Sequence, residues 1–532
     1  MNKSTAVATT AEPSSKSSIV PAVGKVPSGR RKHWGGRTFR FSLASFRFGT
    51  NFSVRRFSMT EAALLLTMAS MTSKGLGVIR QLIFNSLFGT GPDATAYVAA
   101  FRLPDTLFNL VAGGALSYAF IPVFISYEKQ HGKREAWRLT SLVFNLLLVT
   151  LTAFVLIAEL LTPAFVNNLL VPGLPPSEKA LTTTLTRIML LQPLILGLGT
   201  IATAILNSKR QFLLPALSIA VYDLGLIGGL LFSLAIPGVG IYGPTFGLLA
   251  SALCLVGVQI PGLLKQGVQY TFIWNLKHPG LYEVMRLLGP NVLAVGIASL
   301  GFILDTTFAS YLPDRSSIAA MNNALMLYGL PLVVLALAIG QPLLPQITMQ
   351  VAHGRYLRMS QTILKIVGAS VLLSVPASIV LYFLGKPAIH IIFQHGAFNA
   401  HSSALTSMAL LGYAIGLPGL TASSLLILCF YAMKDARTPL LTNIGTLAAR
   451  ISLIVFLLKE LTGTYTILAI PLALAVAGTA EAALLSLILF MRLRAKVKTD
   501  KGLQRLLKRR LQAKSPMVQA NITVSGPPGT VL

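Results

Sequence analysis

Residues 139–160 read LTSLVFNLLLVTLTAFVLIAEL, and Glu159 is the only ionisable group among them. An α-helix needs about 20 apolar residues to cross roughly 30 Å of hydrocarbon, and this stretch meets that requirement. Strands are excluded as spanning elements, because the edge of an open sheet leaves backbone groups unsatisfied in lipid. The stretch therefore predicts a transmembrane helix.

Stretches of this kind recur along the whole chain. Of its 532 residues, 54% are hydrophobic and only 11% are charged, whereas a soluble domain carries roughly 25% charged residues. No soluble core could bury so many long apolar blocks. We predict an all-α, polytopic membrane protein with about twelve transmembrane helices. The twelve blocks, numbered in chain order, are residues 59–88, 94–126, 139–160, 184–206, 213–234, 244–264, 285–311, 317–347, 362–384, 403–431, 439–459 and 464–491.

The net charge of +28 is distributed in a way that indicates membrane topology and not nucleic-acid binding. Of 44 Lys and Arg residues, 11 lie in residues 1–58 and 10 lie in residues 492–514. Most of the others lie in short loops between the apolar blocks. Cations in such places set the orientation of membrane helices and contact anionic lipids. We therefore expect membrane lipids, and no nucleic acid, as partners.

The loops between the blocks separate into a cation-rich set and a cation-poor set. If the N-terminus is cytoplasmic, the five cytoplasmic loops hold 14 cations, and the six outside loops hold four, which are Lys179, Arg315, Lys386 and Lys459. Cytoplasmic loops carry the excess of Lys and Arg in membrane proteins. A missed or spurious helix would invert every later loop and remove the asymmetry. The pattern predicts a multi-pass protein of the inner (cytoplasmic) membrane with both termini in the cytoplasm.

Both ends of the chain are polar and basic. We interpret residues 1–58 as a disordered basic cytoplasmic arm, in which Arg alternates with Phe between Trp34 and Phe57. That alternation suits an anionic membrane surface, and a solvated arm that only helps fix orientation is the alternative. Residues 492–532 form a basic cytoplasmic tail, in which Leu503–Leu511 is typical of a short amphipathic helix on the inner leaflet.

The two halves of the chain share short motifs. His131-Gly132-Lys133 is echoed by His353-Gly354-Arg355, Pro163-Ala164 by Pro387-Ala388, and Pro215 by Pro439, at offsets of 222, 224 and 224 residues. Six predicted helices separate equivalent positions, so the halves have one orientation and a pseudo-two-fold axis along the membrane normal. We predict an N-lobe at residues 59–264, a cytoplasmic linker at 265–284 and a C-lobe at 285–491. Chance recurrence of helix-end motifs is the alternative.

Motifs of enzymes and cofactor sites are nearly absent. No Gly-x-x-x-x-Gly-Lys run is present, so the chain is not its own ATPase. The Gly-x-Gly-x-x-Gly spacing that begins at Gly238 lies in a predicted outside loop without a βαβ unit, which indicates a turn. His390, His395 and His401 lack ligand spacing on one helical face. We expect no catalytic residue, no cofactor and no metal.

Ionisable residues inside the apolar blocks are the candidate substrate-binding residues. A charge at the bilayer centre costs roughly 2.5–3.5 kcal/mol, so it normally faces a cavity or a partner. Lys74 and Arg80 in the first block lie about 120° apart around a helix and could line one wide cavity. Arg102 and Asp105 in the second block are spaced to pair, which gives Arg102 a structural alternative. Together the cations favour an anionic substrate, phosphate above all.

Other ionisable groups in the blocks have weaker functional signals. Arg187 and Arg450 lie near block ends, and we expect both to be structural and to extend towards the membrane surface. The acids include Glu159, Asp223, Asp305 and Glu481, to which the sequence assigns no partners.

The charged stretches carry a resemblance to a known family. Ser70-Met-Thr-Ser-Lys-Gly-Leu-Gly-Val-Ile-Arg80, then Ala100-Phe-Arg-Leu-Pro-Asp105 and Gly114-Ala-Leu-Ser-Tyr-Ala-Phe-Ile-Pro122, resemble the opening of the MurJ/MviN family of lipid II flippases. Later matches include Phe393-Gln-His-Gly396 and Thr438-Pro439, so the resemblance covers about residues 60–495. It implies two six-helix lobes around a central cavity, lined largely by helices 1, 2, 7 and 8.

The resemblance also implies a function. The expected activity is alternating-access transport of lipid II, an undecaprenyl-diphosphate-linked peptidoglycan precursor, with cell-wall synthesis proteins as further partners. Lys74 falls where the family usually has a cavity Arg, and Arg80 matches a second cavity Arg. Such a flippase is a transporter and not an enzyme.

Several positions depart from the family pattern. Phe108-Asn109 stands where the family commonly has a basic pair, Gly113 where it has an acid, and Leu325-Met326 where it has an Asp-Arg pair. Three alternatives therefore stay open: a flippase for another polyprenyl-diphosphate glycan, cation-coupled efflux of small drugs, and a non-transporting membrane scaffold. Drug efflux would favour an acid-lined pocket, whereas the deep groups here are mostly basic.

The predicted topology can be tested by cysteine labelling. In a variant without Cys254 and Cys429, single cysteines at Lys179 and Lys386 should react with a membrane-impermeant reagent added outside. A cysteine at Lys514 should react only after the membrane is opened, because the charge asymmetry places it in the cytoplasm. Labelling of Lys514→Cys in intact cells would contradict the twelve-helix topology.

Overall fold

A computed structural model of the chain describes residues 59–111, 115–335, 341–433 and 435–497. The second of two compact units, Thr38–Leu532, contains all of them. The arm predicted at residues 1–58 and the amphipathic helix predicted at 503–511 lie outside the described residues, as does Gly113.

The described residues form fifteen α-helices, and no strand element occurs among them. The helices are α1 (Met59–Phe88), α2 (Pro92–Val111), α3 (Ala115–His131), α4 (Lys133–Phe165), α5 (Pro176–Met189), α6 (Gln192–Ser208), α7 (Leu213–Ala235), α8 (Tyr242–Lys265), α9 (Pro279–Ser310), α10 (Ser317–Leu335), α11 (Gln341–Ala352), α12 (Tyr356–Phe393), α13 (Ala400–Ala432), α14 (Arg437–Glu460) and α15 (Ala469–Val497). A π-helical turn at Val166–Leu170 and 3₁₀ turns at Pro237–Val239 and Gly463–Leu468 lie between them.

The apolar blocks agree with these helices. Nine blocks each fall on one helix, while blocks 2, 4 and 8 each fall on two consecutive helices. Within the described ranges, eight helical segments are long and apolar enough to cross a membrane, and they correspond to blocks 3–6 and 9–12. The other four blocks, 1, 2, 7 and 8, carry polar groups such as Arg80, Arg102, Asp305 and Asn323. The predicted all-α polytopic fold is confirmed.

The helices pack in two groups that follow the chain. In the first half, α7 packs against α8 and α1, α6 against α8, and α2 against α5. In the second half, α13 is central and contacts α10, α12 and α15. Helix α9 belongs to both groups, because Leu281 and Val284 are buried with α3, α4 and α6, whereas Ile303 is buried with α10 and α13. The lobe boundaries stay a prediction.

The motif around Thr438-Pro439 has a structural basis. Asp435 precedes α14, and its carboxylate accepts hydrogen bonds from the backbone N–H groups of Arg437 and Thr438, 3.1 Å each. It also accepts a hydrogen bond from Arg492 of α15. Burial alone would raise the pKa of Asp435, but the hydrogen bonds from Thr438 and Arg492 outweigh it and lower that pKa to about 2. Asp435 therefore caps α14 and joins it to α15.

The internal repeat is visible in local conformation. Gly132 after α3 and Gly354 after α11 both adopt positive φ, 83° and 65°, which glycine tolerates without steric cost. Pro215 and Pro439 are each the third residue of their helices, α7 and α14. These positions lack intrahelical acceptors for a backbone N–H, so proline is accommodated there. Equivalent motifs thus end or begin equivalent helices.

Two equivalent contacts join the halves of the chain. Both lie at the end of the helices where the cation-poor loops are found, those with Lys179, Arg315, Lys386 and Lys459. We call this end the cation-poor face. The carbonyl of Ser86 near the end of α1 accepts a hydrogen bond from the N–H of Ala397, 2.8 Å, beside Gly396. The hydroxyl of Ser310, the last residue of α9, accepts one from the N–H of Gly173, 3.1 Å. The serines are 224 residues apart and the glycines are 223 apart. Each contact therefore has a counterpart under the internal repeat.

Both glycines are required by close approach of the backbone. A Cβ added to Gly173 would lie 2.2 Å from the Ser310 carbonyl oxygen, and one added to Gly396 would lie 2.3 Å from that of Ser86. Neither oxygen can move without moving its helix. A methyl group at either position would therefore separate the two halves locally.

Gly173→Ala should lower the thermal stability of the purified protein. Overpacking of a close contact costs about 1–3 kcal/mol, and here the backbone of α9 would have to move. The measurement is the temperature at which half of the detergent-solubilised protein loses its monodisperse elution peak. Gly238→Ala is the matched control, because a Cβ at Gly238 meets nothing within 4 Å. Equal midpoints for the two variants would contradict the proposed close contact.

Candidate functional site

The two cations of α1 lie in different surroundings. Arg80 forms an ion pair with Asp223 of α7, at 3.5 Å between Nη1 and Oδ1, and Ser73 donates a 2.5 Å hydrogen bond to the same carboxylate. The Asp223 side chain is buried, whereas 33% of the Arg80 side chain is exposed. The prediction that Lys74 and Arg80 lie together without an obvious acid is therefore wrong for Arg80. The sequence contained Asp223 but gave no sign of its partner.

Lys74 has a different environment. Its residue is exposed, as are its neighbours Thr72 and Gly75. No acid among the described residues lies within ion-pair distance of the Lys74 amine. Since an uncompensated ammonium is costly in hydrocarbon, Lys74 requires water or an anionic ligand. A lysine amine, three donors on a flexible stem, suits a phosphate oxygen.

Arg102 and Asp105 on α2 do not form the predicted ion pair. Arg102 turns towards α9, where its Nε donates to the Thr306 hydroxyl at 3.3 Å and its guanidinium lies 5.7 Å from the Phe302 ring centroid. The carboxylate of Asp105 instead lies near the side chain of Asn109, one turn further along α2. The i, i+3 spacing is compatible with a pair, but the Arg102 side chain contacts α9 instead. Arg102 thus links the two halves of the chain.

Arg450 is buried, which contradicts the expectation that it extends to the membrane surface. It forms an ion pair with Asp305 of α9, and the exposed fractions of the two side chains are 10% and 11%. Arg187 agrees better with its structural prediction, since it pairs with Glu159 at 3.7 Å and half of its side chain is exposed. Arg450 therefore helps fix α14 against α9.

The residues Arg102, Asp305 and Arg450 form one charged cluster. A small cavity lined by Arg102, Asp305, Asn322 and Tyr413 adjoins it. Asp305 pairs with Arg450, and the Arg102 side chain lines the same small cavity as Asp305. Two guanidinium groups and one carboxylate give the cluster a net positive charge near the junction of α2, α9 and α14. The sequence showed Asp305 as an acid within an apolar block, but it gave no sign that Arg450 is its partner.

Polar contacts between the halves gather towards the cation-poor face. The Gln81 amide of α1 donates to Asn323 of α10 at 2.7 Å, and the Thr95 hydroxyl of α2 donates to the Arg315 carbonyl at 3.0 Å. The Arg315 guanidinium in turn lies 3.7 Å from Glu178 of α5. Together with the two Ser–Gly contacts, these bonds hold the halves together at this face.

The positions that depart from the family pattern lie on the same helices. Phe108 and Asn109 are half-buried on α2, and Leu325 and Met326 are half-buried on α10. Leu325 also lines the small cavity beside Arg102. At Leu325, an apolar side chain therefore lies beside the positive cluster where the resemblance implies a charge.

A double-mutant cycle separates the observed ion pair from the predicted one. Arg450→Met should be strongly destabilising, about 3–5 kcal/mol, because it leaves the buried Asp305 without its partner. Adding Asp305→Asn should recover part of that loss, so the two effects should not add. The measurement is the thermal midpoint in detergent for all four proteins.

The control is the matched cycle of Arg102→Met and Asp105→Asn. Because these side chains do not pair, their effects should add within about 0.5 kcal/mol. A coupled Arg102–Asp105 cycle together with an additive Arg450–Asp305 cycle would refute the arrangement of charges described above.

The chain is similar over most of its length to one family of membrane transporters. The model of the family described as "Lipid II flippase MurJ" matches residues 84–522, a range that begins after Lys74 and Arg80. The lipid II flippase MurJ of Burkholderia cenocepacia is 29% identical over 391 residues, covering 72% of this chain and 75% of the relative. A probable lipid II flippase MurJ of Rhizobium meliloti is 27% identical over 423 residues, covering 78% of each.

Solved structures support the same fold. A structure entitled "Lipid II flippase MurJ, inward closed conformation" superposes with a TM-score of 0.68 at 24% identity, covering 79% of this chain and 86% of that one. An inward-facing multidrug resistance MATE family transporter superposes with a TM-score of 0.69 at 14% identity, covering 82% and 99%. The resemblance to the family, predicted from short motifs, is confirmed. This chain belongs to the lipid II flippase MurJ family.

Proposed function

We propose that this protein moves lipid II across the cytoplasmic membrane by alternating access. The observation that carries the proposal is the family match over residues 84–522. The relatives with that name span lengths similar to this chain, because about three quarters of each is covered. The proposal places the protein in the inner membrane with both termini in the cytoplasm, and cell-wall synthesis proteins are its expected neighbours.

Lys74 and Arg80 are the proposed contacts for the diphosphate of the substrate. The pair with Asp223 occupies one side of the Arg80 guanidinium, and a guanidinium has five N–H donors. Donors on its exposed side stay available for phosphate oxygens, and Asp223 fixes their direction. Asp223 also compensates the charge of Arg80 when no substrate is bound. Lys74 adds a mobile positive charge a turn and a half away on α1.

Arg102 and Asp105 have different proposed roles. Arg102 is bonded to α9 and adjoins the small cavity with Asp305, so it can respond to movement between the halves. We retain Arg102 as a proposed substrate contact at the edge of the central cavity that the resemblance implies. Asp105 lies near Asn109 on the same helix, and we retain it as a proposed polar contact for the substrate.

Alternating access follows from where the halves are bonded. The contacts of Gln81, Ser86, Thr95, Gly173 and Glu178 with the second half all lie towards the cation-poor face. We propose that residues 59–264 rock against residues 285–491, and that these contacts are broken when the cation-poor face opens. The cavity is then open to one side at a time.

A second candidate is transport of another polyprenyl-diphosphate glycan. The observation that favours it is the apolar pair Leu325 and Met326 on α10, where the resemblance implies an Asp-Arg pair. Lys74 and Arg80 would serve the shared diphosphate equally well. The two candidates therefore differ in the glycan and not in the anionic group.

Complementation tests both candidates and the role of α1. The wild-type protein should restore growth of a strain depleted of its own lipid II flippase. Lys74→Ala and Arg80→Ala should each abolish growth, because the diphosphate loses a charge-assisted hydrogen bond, an interaction worth about 1.5–3 kcal/mol. Lys74→Arg should retain activity, and Asp223→Asn should weaken it by releasing Arg80.

Lys386→Ala is the control, since Lys386 is an exposed cation of α12. All variants are compared at equal membrane levels. Failure of the wild-type protein to complement would favour another glycan, and growth of both Lys74→Ala and Arg80→Ala at the wild-type rate would place the substrate contacts elsewhere.

A further inference from the structure

The segment between α8 and α9 carries an exposed apolar stripe. Val268, Tyr270, Phe272, Trp274 and Leu276 are 38%, 38%, 70%, 49% and 57% exposed. They occupy every second position, and the residues between Tyr270 and Trp274 are only partly exposed. Alternation of this kind is typical of an extended chain, and Leu276 lies in the turn that leads to α9. We call these five residues the linker stripe.

The backbone of the segment is fixed to α4. The N–H of Thr271 donates to the Ser141 hydroxyl at 3.1 Å, and the Asn145 amide donates to the Ile273 carbonyl at 3.1 Å. The Tyr270 hydroxyl donates back to Asn145 at 2.8 Å. These bonds hold the backbone against the first half of the chain. The Tyr270 side chain therefore faces α4, whereas Phe272 and Trp274 stay exposed although the backbone of the segment is held in place.

The α4 residues that hold the segment place the linker stripe at the edge of the hydrocarbon. Ser141 and Asn145 lie in the third and fourth turns of a helix that begins at Lys133. Exposed apolar side chains, starting with Leu148 and Val149, follow directly after them. The segment thus ends its contact with α4 where the lipid-facing surface of α4 begins.

Cations surround the linker stripe. Lys265 ends α8, Lys277 precedes α9, and the Lys133 amine lies 3.9 Å from the position that a Cβ on Gly267 would take. Trp and Tyr prefer the boundary between headgroups and acyl chains, and Lys near that boundary attracts anionic headgroups. An aromatic stripe flanked by lysines has the chemistry of a site for anionic lipid.

We propose that the linker stripe inserts into the headgroup–acyl boundary of the leaflet at the cation-rich ends of the helices, and that the exposed cations Lys133 and Lys277 contact anionic phospholipids there. The contact ties the first half of the chain to one leaflet through a segment that leads directly into α9. Movement of α9 then takes place relative to a membrane-held segment. The proposal does not depend on the substrate that the protein transports.

Tryptophan fluorescence tests the proposal in the full-length protein. The chain has three Trp residues, so Trp34→Phe and Trp137→Phe leave Trp274 as the only reporter. The protein is reconstituted into phosphatidylethanolamine and phosphatidylglycerol vesicles whose acyl chains carry bromine either near the headgroup or near the chain end. We expect Trp274 to be quenched more by the shallow bromines than by the deep ones, and weakly by aqueous iodide.

Two controls make the depth measurement specific. Val149→Trp in the variant without the native Trp residues should show the reverse order, because Val149 lies on the lipid-facing surface of α4. Replacing phosphatidylglycerol by phosphatidylcholine, or making Lys133→Gln and Lys277→Gln together, should shift Trp274 emission to the red and increase quenching by iodide. Strong iodide quenching with no bromine effect in the starting vesicles would place the stripe in water and overturn the proposal.

A further arm separates lipid from protein as the occupant. Deletion of residues 1–58 should leave the bromine quenching of Trp274 unchanged. If bromine quenching appears only after that deletion, the basic arm covers the stripe in the intact protein, and the proposal is wrong.

Discussion

A charge inside a membrane-spanning helix must have a partner or water, and the arrangement of this protein depends on that constraint. Arg80 is compensated by Asp223, and Arg450 by Asp305, in each case across two helices that are distant in sequence. Each pair fixes one helix against another, α1 on α7 and α14 on α9. Lys74 has no such compensation among the described residues. A cavity that admits water or an anionic group at Lys74 satisfies the same constraint.

The halves are joined by hydrogen bonds and by buried apolar groups, since Val98 and Leu170 lie in one buried cluster with Ile303. The hydrogen bonds suit a reversible interface. A hydrogen bond between protein groups contributes only about 0.5–1.5 kcal/mol net, because water replaces the lost partner when the bond opens. The bonds of Ser86 and Ser310 with the opposite half are of this kind. The close Ser–Gly approaches add geometric precision, since only the correct seating of each helix end brings the backbones together.

The sequence predicted the elements better than their contacts. Long apolar blocks located every helix or helix pair, since the length needed to cross the bilayer leaves few alternatives. The repeat motifs located equivalent helix ends. The partners of the charged side chains were harder to predict. The spacing of Arg102 and Asp105 is a property of one helix, whereas Arg102 bonds to Thr306, 204 residues away. Asp223, 143 residues from Arg80, and the packing of α9 on the first half needed the tertiary structure.

We propose that Lys74 faces an aqueous cavity that accepts a lipid-linked diphosphate. It is tested most directly by placing a cysteine at Lys74 in a variant without Cys254 and Cys429. In inside-out vesicles the cysteine should react with a membrane-impermeant thiol reagent, and added lipid II should slow the reaction. A cysteine at Val149, which faces lipid, should not react. If the cysteine at position 74 is as unreactive as that at position 149, or if lipid II does not protect it, Lys74 does not line an aqueous cavity for this substrate.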